Sequence, residues 1–142
     1  MVNFSKLSIY GLYTILSYFR KALWPRLNSY EYKIQIILPG QVRGERASLD
    51  FSDGRTPILA AHVNEGRESV FVLWDANKHD DFSYSANMQV KADVIIRALC
   101  LPLSRSKRAN NEEIIVSRPQ FLYDAIKCRI EIMKQEILRG EV

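Results

Sequence analysis

The sequence predicts a single α+β domain over residues 1–142, with a curved, mostly antiparallel sheet and helices at both ends. Three observations favour this fold class. Short apolar segments separated by turn residues fill residues 30–116, which is typical of strands. An apolar segment within residues 1–28 precedes them, and a helix-spaced apolar pattern over residues 117–139 follows them. Because the turns between the predicted strands are too short for helical crossovers, we expect neighbouring strands to be antiparallel.

The N-terminal segment is predicted to form a helix over residues 4–24 that is apolar around most of its circumference. Such a helix is either deeply buried or contacts a partner with its second face, so homo-oligomerisation through it is one expectation. Residues 7–19 number thirteen, fewer than the roughly 20 that a membrane crossing requires. Arg20 and Lys21 follow directly, without a small-residue cleavage site. We therefore expect no membrane span, no signal peptide and a cytoplasmic location.

The middle of the chain is predicted to contain most of the sheet. Asp53 and Gly54 supply the positive φ angles that a tight hairpin turn needs between two of its strands. A short helix is expected over residues 90–99, and a basic polar loop over residues 103–111. The predicted strands cover residues 30–38, 47–51, 57–63, 68–74 and 112–116.

The C-terminal helix has a predicted start signal. Ser117 is expected to cap the helix, and Gln120 completes a capping box three residues later. The two cysteines, Cys100 and Cys128, lack the spacing of metal ligands. We expect both to be reduced thiols in the core.

Residues 75–91 follow a buried strand and are predicted to be a long polar loop. Most loops in compact domains have about 4–6 residues, so a connection of this length indicates a function. Its amide, hydroxyl and cationic side chains suit a polar, planar, anionic ligand, and double-stranded DNA is the first candidate. For Phe82 we expect a role in the core.

Two further clusters of cations accompany this loop, one after the first predicted strand and one in the basic loop. Lysine and arginine neutralise phosphates, whereas asparagine and glutamine contact base edges. A solvated run of charge explains the second cluster equally well. The candidate DNA-binding residues are Arg43, Arg46, Lys78, His79, Ser83, Tyr84, Asn87, Gln89, Lys91, Lys107 and Arg108.

Motifs for other chemistry are missing from the sequence. It has no HExxH or paired-cysteine pattern, no glycine-rich phosphate loop and no GxSxG motif, so we expect neither a metal nor a cofactor. One enzymatic alternative stays open. A metal-dependent nuclease needs several carboxylates and a lysine around a divalent ion. The residues available for it are Asp50, Asp53, Glu68 and Asp75 with Lys78.

The stretch over residues 70–91 resembles the specificity domains at the N-terminus of bacterial restriction-modification proteins, which occur on endonucleases and methylase-linked polypeptides. An apolar strand leads into the shared motif, and a second likeness lies in the closing helix, so that the resemblance covers about residues 30–135. The residues that carry it are Trp74-Asp75, Lys78-His79, Phe82-Ser83-Tyr84-Ser85, Asn87 and Gln89-Val90, with Arg118-Pro119, Phe121-Leu122 and Ala125-Ile126.

This resemblance implies a small, open β pseudobarrel that binds double-stranded DNA in a sequence- or modification-specific way. It also implies that the chain has no catalytic centre of its own and works with a nuclease or methylase domain or subunit. Because 142 residues leave no space for a catalytic domain, we expect an excised domain or a standalone subunit. A protein-interaction module that assembles through the N-terminal helix is the remaining alternative.

Overall fold

A computed structural model describes residues 7–13, 18–20, 31–54, 56–65, 68–84 and 86–140. Within these ranges, strands and helices are both present, which confirms the predicted α+β class. The helices are α1 (Ala76–His79), α2 (Ala92–Cys100) and α3 (Leu122–Leu138). The strands are β1 (Leu7–Tyr13), β2 (Tyr18–Arg20), β3 (Glu31–Ile36), β4 (Arg46–Ala47), β5 (Thr56–Glu65), β6 (Glu68–Trp74), β7 (Phe82–Ser83), β8 (Ala86–Lys91), β9 (Leu103–Lys107) and β10 (Glu113–Ser117).

The largest sheet has five strands in the order β1-β5-β6-β10-β9. β1 is parallel to β5, and the other neighbours are antiparallel, as predicted for most of the sheet. Side chains alternate between its faces, so one face packs on α3 and the other on α2 and β8. The first face is formed by Ile58, Ala60, Leu73 and Ile115, and the second includes Leu59, Ala61, Val72, Trp74, Ile114 and Val116.

Two smaller sheets accompany it in the described residues. β2, β3 and β8 form an antiparallel sheet in which β8 is an end strand, and β4 pairs with β7. The Nε1 atom of Trp74 donates a hydrogen bond to the carbonyl oxygen of Gln89 at 3.1 Å. Because Trp74 ends β6 and Gln89 lies in β8, this bond ties the three-stranded sheet to the five-stranded sheet.

The predicted N-terminal helix is wrong where the structure describes it. Residues 7–13 and 18–20 are strands, while residues 1–6, 14–17 and 21–30 lie outside the described part. A run of apolar residues does not by itself distinguish a buried helix from a strand, because the two patterns differ only in period. Ile9, Tyr10 and Tyr13 favour the strand, because β-branched and aromatic side chains pack well on a sheet.

Two predicted loops are also wrong. Residues 75–91 form α1, β7 and β8, and residues 103–107 of the predicted basic loop form β9. Strand β9 was missed because its inward face is not uniformly apolar. In β9 the inward Ser104 is buried, and its hydroxyl donates to the carbonyl oxygen of Val94 at 2.6 Å. A satisfied serine can thus occupy a position where an apolar residue was expected.

Other local predictions had mixed outcomes. Asp53 and Gly54 have φ angles of 53° and 70°, as the predicted turn requires. The hairpin itself is wrong, because β4 pairs with β7 and not with β5. Ser117 is the buried last residue of β10 and caps no helix, since a 3-10 turn at Pro119–Phe121 precedes α3. The predicted helices α2 and α3 are both present.

Both cysteines are free thiols. Cys128 is half-buried, whereas Cys100 is exposed. Cys100 is exposed at the end of α2, so its predicted core position is wrong. Cys128 is half-buried, and burial raises the pKa of its thiol. Phe82 is buried in the core, as predicted.

Candidate nucleic-acid interface

Strand β8 carries a row of polar side chains on its outer face. Met88 and Val90 are buried, whereas Asn87 and Lys91 are exposed and Gln89 is half-buried. This alternation follows from the two-residue repeat of a strand. From the first to the last of these polar positions the row is about 13 Å long, at about 3.3 Å per residue. The polar residues Asn87, Gln89 and Lys91 of the predicted loop therefore lie on one face of a strand.

One end of this row meets a cleft beside β4, which we call the β4 cleft. Its volume is about 770 Å³. The register of β3 and β8 sets Gln35 opposite Asn87, so the cleft adjoins the polar row. Four predicted site residues lie together here although they are separated by some 40 positions along the chain. The lining consists of Gln35, Arg43, Gly44, Glu45, Arg46, Ser83 and Tyr84.

The loop that carries Arg43 is held by Gln41. Its Oε1 atom accepts a hydrogen bond from the Leu38 amide at 3.1 Å, and its Nε2 atom donates to the carbonyl oxygen of Glu45 at 3.2 Å. The Glu45 carboxylate accepts from the Val42 amide at 3.3 Å. These bonds across the loop fix the position from which Arg43 projects into the β4 cleft.

The other end of the polar row meets a second cleft, between β8, α2 and the β9–β10 turn, which we call the β9 cleft. Its volume is about 280 Å³. Four more predicted site residues lie here, two from β8 and two from the predicted basic loop. The lining consists of Gln89, Val90, Lys91, Val94, Ser106, Lys107, Arg108, Ala109 and Ile114.

Three of the predicted cationic residues already have partners. Arg46 forms an ion pair with Asp81 at 3.1 Å between Nε and Oδ1, and its Nη2 atom donates to the carbonyl oxygen of the same residue. Arg108 donates from Nη1 to the Gln89 carbonyl oxygen at 3.3 Å. His79 contacts the carboxylate of Glu112. These side chains hold the structure around the polar row.

Four other predicted cations are differently placed. Arg43, Lys78, Lys91 and Lys107 are exposed, and no ion pair forms between any of them and another described residue. An unpaired, exposed cation can meet an incoming phosphate without first losing a protein partner. These four are therefore the side chains best prepared to bind a polyanion.

Arg105, the neighbour of Lys107 on β9, is different again. Its Nη2 atom lies 2.7 Å from Oε1 of Glu113 on β10. The hydrogen bond that Arg105 donates to the Glu113 carboxylate raises the pKa of the Arg105 guanidinium above its ordinary value. On β9, Arg105 is therefore paired with Glu113 of the neighbouring strand β10, whereas Lys107 is exposed to solvent.

Glu112 supports this surface from below, and sequence reasoning missed it. The side chain is fully buried, and its Oε2 atom lies 2.5 Å from Nε2 of His79. The same oxygen accepts from the Asp75 amide at 3.2 Å, and Oε1 lies 3.9 Å from Nη1 of Arg108. Glu112 thereby fixes α1 and the wall of the β9 cleft together. The one signal was a pair of adjacent acids, Glu112 and Glu113, that follows a basic segment.

A second buried cluster of charges lies around Arg129 on α3. Its Nη2 atom is 3.6 Å from both Asp75 Oδ2 and Glu136 Oε2, and all three residues are buried. Nη1 of Arg129 donates to the Glu113 carbonyl oxygen at 2.8 Å. Asp75 also caps α1, because its Oδ1 atom accepts from the Asn77 amide at 3.0 Å. Asp75 therefore has structural partners on both carboxylate oxygens.

The carboxylates of the nuclease alternative do not gather in this structure. Glu68 begins β6 and Asp75 directly follows its last residue, so the two lie about 23 Å apart at the rise of a strand. Asp53 occupies a turn, and Asp50 accepts from the Ser52 amide at 2.9 Å. Among the residues that the structure describes, no group of three or more His, Cys, Asp or Glu side chains could hold a metal ion.

A family model described as methylase-associated X1 matches residues 15–126, which is most of the chain and includes both clefts and the polar row. The chain belongs to the methylase-associated X1 family. Membership of this family supports a role in restriction-modification, the setting that the sequence resemblance implied. No curated protein and no solved structure matches the chain. In the described part of this methylase-associated X1 chain, no helix is long and apolar enough to span a membrane.

Proposed function

We propose that this methylase-associated X1 chain is a DNA-recognition module of a restriction-modification system. It binds double-stranded DNA in a sequence- or modification-specific way and works beside a methylase or nuclease domain or subunit in the cytoplasm. The observation that carries the proposal is the polar row of β8, which joins two clefts. Three exposed cations line these clefts, and none of them forms an ion pair with another described residue: Arg43, Lys91 and Lys107. An open pseudobarrel stays a prediction for the full fold.

The side chains along this surface suit two different tasks. Arg43, Lys91 and Lys107 would neutralise phosphates, with release of counterions and a salt-dependent affinity. Asn87 and Gln89 carry amides, which form paired hydrogen bonds to adenine in the major groove. Cations at both ends with amides between them fit a duplex lying along β8. Lys78, exposed on α1, would contribute a further phosphate contact.

The test is a fluorescence-anisotropy titration of pooled random duplex DNA, methylated and unmethylated, at two salt concentrations and without metal. The variant Lys91→Gln/Lys107→Gln removes two open cations from the proposed surface. We expect weaker binding and a salt slope reduced by about two, since each lysine contact contributes about one. Retention of binding at high salt by some sequences would identify the recognised site.

The matched control is Lys127→Gln/Lys134→Gln on α3. It removes the same charge from exposed positions on the opposite face of the five-stranded sheet. We expect the control to bind DNA almost as tightly as the wild type. Equal losses in both variants would mean that only net charge matters, and flat titrations at low salt would remove the DNA proposal.

The interaction-module alternative has lost its structural basis. It required an N-terminal helix with a free apolar face, but Leu7–Tyr13 is a strand paired with β5. Homo-oligomerisation through an N-terminal helix is not proposed.

A further inference from the structure

The β9 cleft has an apolar floor built from three different elements. Val90 comes from β8, Val94 from α2 and Ile114 from β10, and each is at most 3% exposed. All three belong to one core cluster, so the floor is held by packing rather than by a loop. These side chains close the inner end of the cleft, and a bound group would contact the small part of each that faces the opening.

The rim of the same cleft is polar and positively charged. Lys91 and Lys107 are exposed at its edge, and Ser106 and Gln89 add a hydroxyl and an amide. Arg108 is held in place by the Gln89 carbonyl oxygen and by Glu112. The cleft thus combines an apolar floor with hydrogen-bonding groups and two open cations within one opening.

Size restricts what can enter. The volume of about 280 Å³ is roughly nine times the ~30 Å³ share of one liquid water molecule. A single flat heterocycle fits this space. A heterocycle on the floor with a phosphate at Lys91 and Lys107 would use every part of the cleft.

We propose that the β9 cleft binds one nucleotide, with its base on the Val90–Val94–Ile114 floor and its phosphate at the rim lysines. The inference rests on the proposed DNA binding for the source of that nucleotide, a base extruded from the duplex that lies along β8. Extrusion loses the stacking and pairing of the base, so a weakened or mismatched pair should be favoured. A free mononucleotide has the same chemistry and is the other source to be distinguished.

The first experiment uses duplexes that carry 2-aminopurine at one fixed position between random flanks. Unstacking raises the fluorescence of this base, and the cleft lining contains no aromatic ring that would quench it. We expect a severalfold rise on binding, together with tighter binding when the 2-aminopurine pair is mismatched. Anisotropy on the same samples reports duplex binding separately.

The second experiment tests the cleft without DNA. Amide resonances of the ¹⁵N-labelled protein are followed during titration with deoxynucleoside monophosphates, including N6-methyl-dAMP and 5-methyl-dCMP. Inorganic phosphate is the control for simple anion binding. We expect shifts at Ser106, Lys107 and Ala109 with the nucleotides and much smaller shifts with phosphate.

A variant that fills the cleft tests whether the fluorescence rise and the nucleotide-induced shifts both depend on it. Ala109 is exposed at the cleft mouth and outside the core, so Ala109→Trp should block the opening without unfolding the protein. Ile96→Trp adds the same bulk to an exposed position of α2 that does not line the cleft. We expect Ala109→Trp to abolish the fluorescence rise and the nucleotide shifts, and Ile96→Trp to retain both.

The outcomes separate this inference from the proposed function. Duplex binding without a fluorescence rise and without nucleotide shifts would overturn the nucleotide site and leave the DNA module intact. Nucleotide shifts without duplex binding would keep the site, assign it to free nucleotides and overturn the DNA proposal. A fluorescence rise that persists in Ala109→Trp would overturn the assignment to this cleft.

Discussion

The Nε2 atom of His79 lies 2.5 Å from Oε2 of Glu112, and this contact joins the end of α1 to the residue before β10. The same oxygen accepts a hydrogen bond from the amide of Asp75, which caps the start of α1. One buried carboxylate oxygen therefore holds both ends of a four-residue helix. A helix this short has little stability of its own, so its position depends on this residue.

Replacement of Glu112 by alanine should destabilise the protein strongly. The change leaves the Asp75 amide without its acceptor and His79 without its partner, and each lost buried partner costs about 1–3 kcal/mol. We expect a loss of about 2–4 kcal/mol in the free energy of unfolding, measured by urea denaturation. Glu112→Gln keeps one acceptor oxygen and should lose less.

Glu131→Ala serves as the control for that experiment. Glu131 is exposed on α3 and lies 3.9 Å from Lys134, a contact that contributes little in solvent. A difference of less than about 0.5 kcal/mol between Glu112→Ala and the wild type would contradict the role given to Glu112.

Loss of the Arg129 charge should be among the most damaging single changes. Arg129→Leu would leave Asp75 and Glu136 buried without the cation that lies 3.6 Å from each. Removal of one partner from a buried ion pair costs about 3–5 kcal/mol. We expect a loss of this size by urea denaturation, and a smaller loss for Arg129→Lys, which keeps the charge but not the guanidinium geometry.

A double substitution tests whether the loss of stability in Arg129→Leu comes from the buried carboxylates that no longer have the Arg129 cation beside them. Asp75→Asn in the Arg129→Leu background should cost less than the sum of the two single changes, because the uncompensated carboxylate is gone. Additive losses would show that Arg129 contributes mainly through packing and through its bond to the Glu113 carbonyl oxygen.

Removal of the negative charge paired with Arg46 should strengthen DNA binding if the proposed surface is correct, while the bond from Arg46 Nη2 to the carbonyl oxygen of residue 81 is kept. Asp81 binds Arg46 in an exposed pair and has a φ angle of 54°, which asparagine also tolerates. Asp81→Asn therefore removes one negative charge without backbone strain. We expect tighter duplex binding and a salt slope steeper by about one, measured by anisotropy.

The control removes a negative charge far from that surface. Glu131→Gln on α3 changes the net charge by the same amount. Equal gains in the two variants would show that the effect comes from net charge and not from loss of the Arg46–Asp81 ion pair. We also expect the free energy of unfolding of Asp81→Asn to stay within about 1 kcal/mol of the wild type, because the Arg46–Asp81 pair is exposed.

The two cysteines should differ in reactivity. Burial raises the pKa of Cys128, and the thiolate is the reactive form, so less of it is present at neutral pH. Cys100 is exposed and should react first with iodoacetamide. Mass spectrometry of partly alkylated protein measures the order, and Cys128 should react faster as the pH rises. Preferential modification of Cys128 at neutral pH would contradict its half-buried position.

Local sequence signals predicted the elements whose side-chain pattern is simple. Glu68–Trp74 is a strand as predicted, because its apolar run is bounded by turns and it lies inside the sheet. The Asp53-Gly54 turn follows from the backbone freedom of these residue types. Ser104 and Ser117 misled the prediction, since tertiary contacts and burial gave polar side chains inward positions in strands.

The sequence by itself determined the α+β class, the C-terminal helix and the residue types available for a polar, basic surface. Only the tertiary structure decided which of those residues meet, because β4 pairs with β7 and β3 with β8 across long stretches of chain. It also decided that Arg46, His79 and Arg108 are paired while Arg43, Lys91 and Lys107 remain open. The reason is physical: periodicity reflects local backbone geometry, whereas the pairing of charges depends on distances between elements remote in sequence.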